Sequence, residues 1–347
     1  MKAILLTGIR QMEMGEVPEP KIEKDNDVLL KITMVGVCGS DVHYYEAGRI
    51  GSQVVQYPFI VGHECAATVA DVGRAVKTVK VGDRVAVEPA IACHDCDQCR
   101  QGRENTCRNL KFLACPGQVS GCLCQYIVMP DDCCFPISDS FSFSQAVLCE
   151  PLAISLYAVR QSAFEAGSDV AILGAGPIGL GCLLAAKQKK AGALYMTEKI
   201  RERIDVAANA GATWVGNPDK QDIVKEILRQ KDAGVDVAFE CAGQQETIDQ
   251  AIEILKPGGK LMLIGIPRED RISFSIDQIR RKEIAIVNVR RQNRCTQECI
   301  DLIDSGAIDA DFMATHKFKP EDAQEAFEMV SNYRSGVVKA LVDFQEL

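Results

Sequence analysis

The sequence has no surplus of positive charge: 39 Lys and Arg against 48 Asp and Glu leave its 347 residues with a formal net charge of −9. That balance argues against nucleic acid and against anionic membrane surfaces as partners. It also lacks a long apolar run. A long uncharged stretch between Asp169 and Lys187 is interrupted by Gly and Pro and falls short of the ~20 residues a bilayer requires. The opening MKAILLTGIRQMEMGE has too short an apolar run for a signal-peptide core and no small-residue cleavage site. It reads as a first strand, and a cytoplasmic location is the expectation. No internal repeat or low-complexity tract is evident.

What is present fits an ordinary globular enzyme. The apolar fraction of 47% supplies a core, and the length favours two domains over one. Sixteen cysteines in a chain without an export signal point to a reducing compartment rather than to disulfides. Twelve are scattered, and Cys182 and Cys241 read as small buried hydrophobes. Residues 1 to about 150 are β-rich, with DVLLKITMVGVC, AATVADVG and DRVAVEP separated by Gly, Asp and Pro turns. From about 169 the pattern becomes alternating: DVAILG, a helix from Pro177, LYMTE, IRERIDVAANAGA, VDVAFE, QETIDQAIEIL, a turn at KPGG and KLMLIG. Strand–helix alternation of this kind builds a parallel sheet covered on both faces. PEDAQEAFEMVSN reads as a helix and VVKALVDF as a closing strand.

Gly174-Ala-Gly176-Pro177-Ile178-Gly179 follows an expected strand and opens an expected helix. The three glycines suit a tight turn, close approach of a pyrophosphate and close helix–strand packing, and the helix N-terminus offers N–H groups to phosphate. Glu198, nineteen residues past the third Gly, would accept from ribose hydroxyls and repel a 2′-phosphate, which favours NAD over NADP. Lys199 and Arg203 leave NADP open, since either cation could meet a phosphate; Arg203 could equally lie near the adenine or in solvent.

Cys93, Cys96, Cys99 and Cys107 form C-x2-C-x2-C-x7-C, the ligand set of a closed tetrahedral zinc site. Four thiolates leave no open position, so this zinc would be structural, with His94 solvated. A second set is dispersed: Cys38, the adjacent His63 and Glu64, and Glu150. Each alone is unremarkable. Together they supply the S, N and O donors of an open zinc site, which spacing alone does not bring together.

These motifs resemble the zinc-dependent medium-chain alcohol dehydrogenases, and within them the sorbitol (polyol) dehydrogenase branch. The resemblance runs through CGSDVHYYEAGRIG (38–51), GHE (62–64), VGDRVAVEP (81–89), the four-cysteine loop, CEPLAISLYAVR (149–160), GAGPIGL (174–180) and THKF (315–318). HYYEAGRIG points to the polyol branch; butanediol and threonine dehydrogenases share the rest. The resemblance implies an α/β protein: a GroES-like, β-rich catalytic domain over 1–152, completed by 291–347, and a Rossmann domain with a doubly wound parallel sheet over 153–290, with the active site in the cleft. It implies two zinc ions per chain. The catalytic one would be held by Cys38, His63 and Glu64, with Glu150 beside its water or entering the coordination; Cys149 is adjacent to Glu150.

Substrate contacts carry over to Tyr44, Phe112, Glu150, Arg290 and Arg291, and the proton would leave through Ser40 or Glu150. Cofactor contacts carry over to Gly174, Gly176, Pro177, Ile178, Gly179, Glu198, Arg203, Ile264, Gly265, Ile266, Asn288, Val289 and Arg290. The resemblance further implies homodimers or homotetramers formed through the Rossmann domain. The branch's Arg-Tyr pair is Arg290-Arg291 here. Together with Arg280, Arg281, Lys282 and Arg294, it raises a sugar acid or polyol phosphate as an alternative to a neutral polyol. The bland reading is a solvated basic face. Butanediol and threonine are further alternatives, and a non-catalytic NAD- and zinc-binding protein is the competitor from another class.

Overall fold

The ten-residue strand Asp27–Gly36, rich in β-branched and long aliphatic side chains, organises the first of two units in the computed structural model, which describes residues 1–267 and 269–347. That unit comprises Met1–Glu150, Thr296–Gly306 and Ala310–Leu347; the second comprises Pro151–Cys295 with Ala307–Asp309.

A seven-stranded sheet carries the first unit. Its order is Cys134–Pro136, Arg84–Val87, Glu64–Val72, Asp27–Gly36, Lys339–Asp343 and Ala314–Phe318, with Tyr126–Pro130 also pairing with Asp27–Gly36. The closing strand Lys339–Asp343 therefore lies beside a strand some three hundred residues earlier. The register sets Gly36 opposite Glu64 on one side and Leu341 on the other. Beneath the sheet, fully buried Leu30, Ile32, Leu123 and Phe327 belong to one hydrophobic cluster, and Tyr45 packs on Phe327 with ring centroids 5.4 Å apart.

The second unit holds a six-stranded parallel sheet in the order Trp214–Gly216, Leu194–Thr197, Val170–Leu173, Val235–Glu240, Leu255–Leu263 and Ala285–Asn288. The first strand in sequence is central and the order reverses beside it, the topology of a dinucleotide-binding Rossmann sheet. Val170–Leu173 and Leu194–Thr197 are buried at every position, which explains their unbroken apolar runs.

Two features depart from expectation. The KPGG turn lies inside the strand Leu255–Leu263 rather than before it. Pairing jumps from Val235↔Leu255 to Val237↔Lys260, so the intervening residues form a bulge, with Gly258 at φ +75°. The helix Phe143–Ser162 is absent from the sequence reading. It is apolar on nearly all sides, so no 3.6-residue stripe marks it, and Pro151 lies within it. Among the described residues no helix is long and apolar enough to cross a membrane.

Candidate active site

In the first unit the backbone brings Cys38, His63 and Glu64 together: one donor atom from each lies within 4.8 Å of the others. Cys38 sits in extended conformation just before the helix Gly39–Ala47, His63 immediately precedes the strand that Glu64 opens, and that strand pairs with Asp27–Gly36. Gly36 is required at its place. A Cβ there would stand 2.3 Å from Glu64 Oε2 and 2.8 Å from Val147 Cγ1.

Two buried charged groups that the sequence reading missed orient these donors. Asp41 is fully buried, accepts from Gly62 N at 3.1 Å and meets His63 Nδ1 at 3.1 Å. With Nδ1 held, the ring presents Nε2, the usual arrangement behind a metal-binding imidazole. Lys339, 2% exposed, donates to both Glu64 oxygens at 2.7 Å and to Val37 O at 3.3 Å. Asp41 was legible as the third residue after Cys38, one helical turn on; Lys339 carries no local signal.

The electrostatics of the cluster favour a cation. Burial works against a charged His63, yet Asp41 and Cys38 outweigh it and hold the imidazole's pKa well above its ordinary value. Lys339 behaves alike: burial opposes its charge, and Glu64, Cys38 and Glu150 raise its pKa nonetheless. Glu150 is buried with Oε2 unpaired. Burial first, then Glu64 and Glu88, push it up to about 8 against the opposing pull of His63 and Lys339. Glu150 does not join the three donors within the same 4.8 Å. An orphaned carboxylate oxygen beside a thiol, an imidazole and a carboxylate is a donor chemistry that fits zinc. Cys149 Sγ instead donates to Gln145 O at 3.3 Å.

Around this cluster, Ser40 Oγ donates to Cys38 Sγ at 3.4 Å. The Phe112 ring lies 5.2 Å from that of His63. Tyr44, buried on the helix Gly39–Ala47, donates to Gln53 Oε1 at 3.0 Å.

The second cluster fits a metal even more closely. Sulfur–sulfur distances are 3.4 Å for Cys93–Cys107, 3.5 Å for Cys96–Cys99, 3.9 Å for Cys96–Cys107 and 4.0 Å for Cys93–Cys99. A tetrahedron with Zn–S near 2.3 Å has edges of ~3.8 Å. Backbone and side-chain N–H groups of Cys93, Arg108 and Asn109 point at these sulfurs. Cys93 is held down to about 6, chiefly by the Asp95 backbone, whereas burial lifts Cys99 to about 12. Four crowded thiols thus resist ionising together unless a cation joins them. His94 pairs with Asp132 at 2.6 Å on the surface.

The expected cofactor residues gather at the carboxyl ends of the parallel strands in the second unit, where ligands bind in such sheets. Gly174 follows Val170–Leu173, and Gly176 precedes the helix Pro177–Gln188. A Cβ at Gly179 would fall 1.9 Å from Gly174 O. Ile178 O accepts from Ser155 Oγ at 3.0 Å. Glu198 follows Leu194–Thr197 and accepts from Ala175 N, Lys199 N and Ile200 N. Arg203 is buried with its guanidinium 4.0 Å from Glu198, and Lys199 pairs with Asp219 at 3.1 Å. The two cations that left NADP open are therefore paired with carboxylates.

Ile264 N and Gly265 N both bond Glu240 O at 3.0 Å, and Ile266 is half exposed. Glu240, missed in the sequence, is buried and accepts from Ala242 N, Gly243 N and Thr247. Asn288 ends its strand and Val289 N bonds Leu263 O at 2.9 Å; Arg290 and Arg291 follow, the latter at φ 53°. The rest of the basic stretch is partly accounted for. Arg280 and Arg281 pair with Asp277, and Lys282 donates to the carbonyls of Ile252, Glu253 and Leu255 at the end of the helix Gln245–Ile254.

Comparison with known proteins identifies the family. Residues 24–139 match the family described as alcohol dehydrogenase GroES-like domain, and residues 177–305 match the zinc-binding dehydrogenases. The chain is similar to a Bacillus subtilis protein named sorbitol dehydrogenase, 39% identical over 343 residues, covering 99% of this chain and 97% of that one. It is 33% identical to L-idonate 5-dehydrogenase of Vitis vinifera, covering 94% and 90%. The crystal structure of 2R,3R-butanediol dehydrogenase from Bacillus subtilis superposes with a TM-score of 0.89 at 32% identity, covering 99% of each chain.

Proposed function

This chain belongs to the zinc-dependent medium-chain alcohol dehydrogenases, in their polyol dehydrogenase branch, and from that premise we propose that it oxidises a secondary alcohol of a polyol-like substrate to a ketone, passing the hydride to NAD. The observation that carries the reading is the buried set Cys38, His63 and Glu64 with the unpaired Glu150 oxygen beside it. A buried carboxylate oxygen left unsatisfied calls for an explanation, and a proton acceptor beside the alcohol-binding metal site provides one.

Cys38, His63 and Glu64 would hold the catalytic zinc, and Cys93, Cys96, Cys99 and Cys107 a structural one. When bound, zinc supplies Lewis acidity to a hydroxyl and NAD supplies the hydride acceptor. The chain's own residues do the rest. Asp41 fixes the His63 ring and Lys339 fixes the Glu64 carboxylate. Tyr44 and Phe112 flank the substrate. Glu150, lifted toward neutrality by burial, is suited to accept the hydroxyl proton at Oε2 and release it; Ser40 is the other acceptor in reach of Cys38. Overall, one C–H and one O–H bond break, a C=O forms, and NADH and a proton leave. Gly174, Gly176 and Gly179 would cradle the pyrophosphate and Glu198 the ribose, with Pro177, Ile178, Arg203, Ile264, Gly265, Ile266, Asn288, Val289 and Arg290 lining the rest.

A sugar acid is the second reading, favoured by the relative named L-idonate 5-dehydrogenase and by Arg290-Arg291. Association into dimers or tetramers is supported by Ala285–Asn288, the outer strand of its sheet, and by Ile276, 72% exposed. A cytoplasmic location is supported by sixteen cysteines with no disulfide among them.

The test is NADH formation across neutral polyols, sugar acids, polyol phosphates, butanediol and threonine, with metal analysis of the same sample. Two zinc ions per chain and turnover of a polyol are expected. Two zinc ions with no turnover of any alcohol, or a single zinc, would favour a binding protein.

A further inference from the structure

Glu240 is a buried carboxylate that no step of the reaction uses. It ends the strand Val235–Glu240 and is 1% exposed. That strand lies between the one that leads into Gly174 and the one that leads into Ile264, and the register sets Glu240 opposite Leu173 on one side and Leu263 on the other. One oxygen, Oε1, accepts from Gly243 N at 2.7 Å and from Ala242 N and Thr247 Oγ1 at 2.8 Å. Thr247 belongs to the first turn of the helix Gln245–Ile254, whose positive end also favours the charge. A carboxylate taken out of water is therefore met by three donors converging on one atom.

The residues it fixes touch both neighbouring strand ends. A Cβ at Gly174 would lie 3.3 Å from Ala242 N and 3.4 Å from the Cys241 carbonyl carbon, and Cys241 N bonds Leu173 O at 2.9 Å. On the other side, a Cβ at Gly265 would fall 2.3 Å from Gly243 N and 2.7 Å from Glu240 Oε2, and one at Gly243, φ +69°, would fall 2.6 Å from Ile266 O. The turn Cys241–Gly243 is thus a spacer. It abuts the phosphate turn on one side and leaves no room for a methyl group against Ile264–Ile266 on the other.

A dinucleotide lies across the point where the strand order reverses. With Gly174 under the pyrophosphate and Glu198 at the adenosine ribose, on the side of Leu194–Thr197, the nicotinamide half runs to the opposite side, over the ends of Val235–Glu240 and Leu255–Leu263. We propose that Glu240 is a positioning residue for the nicotinamide half of the cofactor: by fixing the turn Cys241–Gly243, it sets the distance from the phosphate turn at Gly174 to the segment Ile264–Ile266. The proposal rests on the NAD reading above.

The experiment titrates zinc-loaded wild type, Glu240→Gln and Glu240→Met with NADH, followed by its fluorescence, and with ADP-ribose, which lacks the nicotinamide, followed by calorimetry. Amide hydrogen exchange of Ala242 and Gly243 is measured on the same proteins. Glu240→Met leaves both amides without their acceptor. Its Kd for NADH is expected to rise about tenfold, the scale of one net hydrogen bond, with the Kd for ADP-ribose held within about twofold and both amides exchanging faster. Glu240→Gln keeps an acceptor oxygen but loses the charge that makes such bonds roughly twice as strong, so NADH should weaken about threefold with ADP-ribose again spared. A folded Glu240→Met that binds NADH as tightly as wild type would overturn the proposal. Equal weakening of NADH and ADP-ribose would do the same, since it assigns Glu240 to the fold alone. Should Glu240→Met not fold, Glu240→Gln decides: unchanged NADH affinity with unchanged exchange at Ala242 and Gly243 refutes the role. Wild type that fails to bind NADH removes the NAD reading and this proposal with it.

Discussion

Lys339→Met removes the ammonium that holds Glu64 while nearly preserving side-chain length. The pair is almost wholly shielded from water, with Lys339 2% and Glu64 1% exposed, and Nζ reaches both carboxylate oxygens at 2.7 Å. Solvent screening therefore does little to soften the loss. Breaking a buried pair on one side costs about 3–5 kcal/mol, because the remaining charge stays buried and unpaired. That is a large share of the 5–15 kcal/mol typical of a folded domain.

Metal-stripped protein is the sample of choice, since a bound cation would stand in for the ammonium. Unfolding of a chain built from two units need not be two-state, so the measurement must report on the first: native-state hydrogen exchange of the amides in Asp27–Gly36 does so, against urea unfolding by circular dichroism. The expected loss is about 3–5 kcal/mol without metal and clearly less when zinc is restored. Lys339→Met/Glu64→Gln should recover most of it, because both charges are then gone. A loss below about 1 kcal/mol, or an equal loss in the single and double variants, would refute the electrostatic account and leave only packing.

Cys96→Ser should lower the zinc content from two ions to one per chain by metal analysis, with the Cys38 site still loaded; retention of both ions would show that three sulfurs suffice. Gly179→Ala places a methyl group 1.9 Å from Gly174 O and should weaken NADH binding, followed by fluorescence titration, by about tenfold or more, whereas a Kd within twofold of wild type would show that the turn relaxes. Glu328 is held below the usual carboxylate range, first by Arg10 and then by Tyr45, which donates to it at 2.6 Å. Its folded pKa is depressed, so its stabilisation is present above the ordinary carboxyl pKa and disappears as pH falls through the folded value. Glu328→Gln should therefore cost about 1 kcal/mol at pH 7 and progressively less below about pH 4, and a difference independent of pH would contradict that assignment.

The sequence disclosed best what is encoded locally. The four-cysteine spacing predicted a cluster and the structure contains one, because all four side chains fall within one short loop. The strand–turn–helix around Gly174 is equally local: its glycines are dictated by a turn too tight for a Cβ. Cys38, His63 and Glu64 come together only through the pairing of Glu64–Val72 with Asp27–Gly36, and family resemblance rather than spacing pointed to their convergence. Lys339 escaped notice because a lysine in an apolar strand looks like an edge residue until its carboxylate partner, 275 positions away, is known. Phe143–Ser162 escaped because a helix buried on most sides has no polar face to betray its period.

The strand Lys339–Asp343 lies between Asp27–Gly36 and Ala314–Phe318, and this ordering has a consequence for synthesis on the ribosome. The second unit, nearly all of it contiguous from Pro151 to Cys295, can close before Lys339 is translated. The first cannot. Until that strand emerges, the Met34–Gly36 end of Asp27–Gly36 lacks its partner on one side, the rest of that side being paired with Tyr126–Pro130, and Glu64 has no counter-charge. The nascent chain thus carries a finished nucleotide-binding half and an open, association-prone catalytic half at the same time. Slow translation of the codons leading to Lys339 would accumulate that species, making the pairing of Lys339–Asp343 the step most in need of chaperone protection.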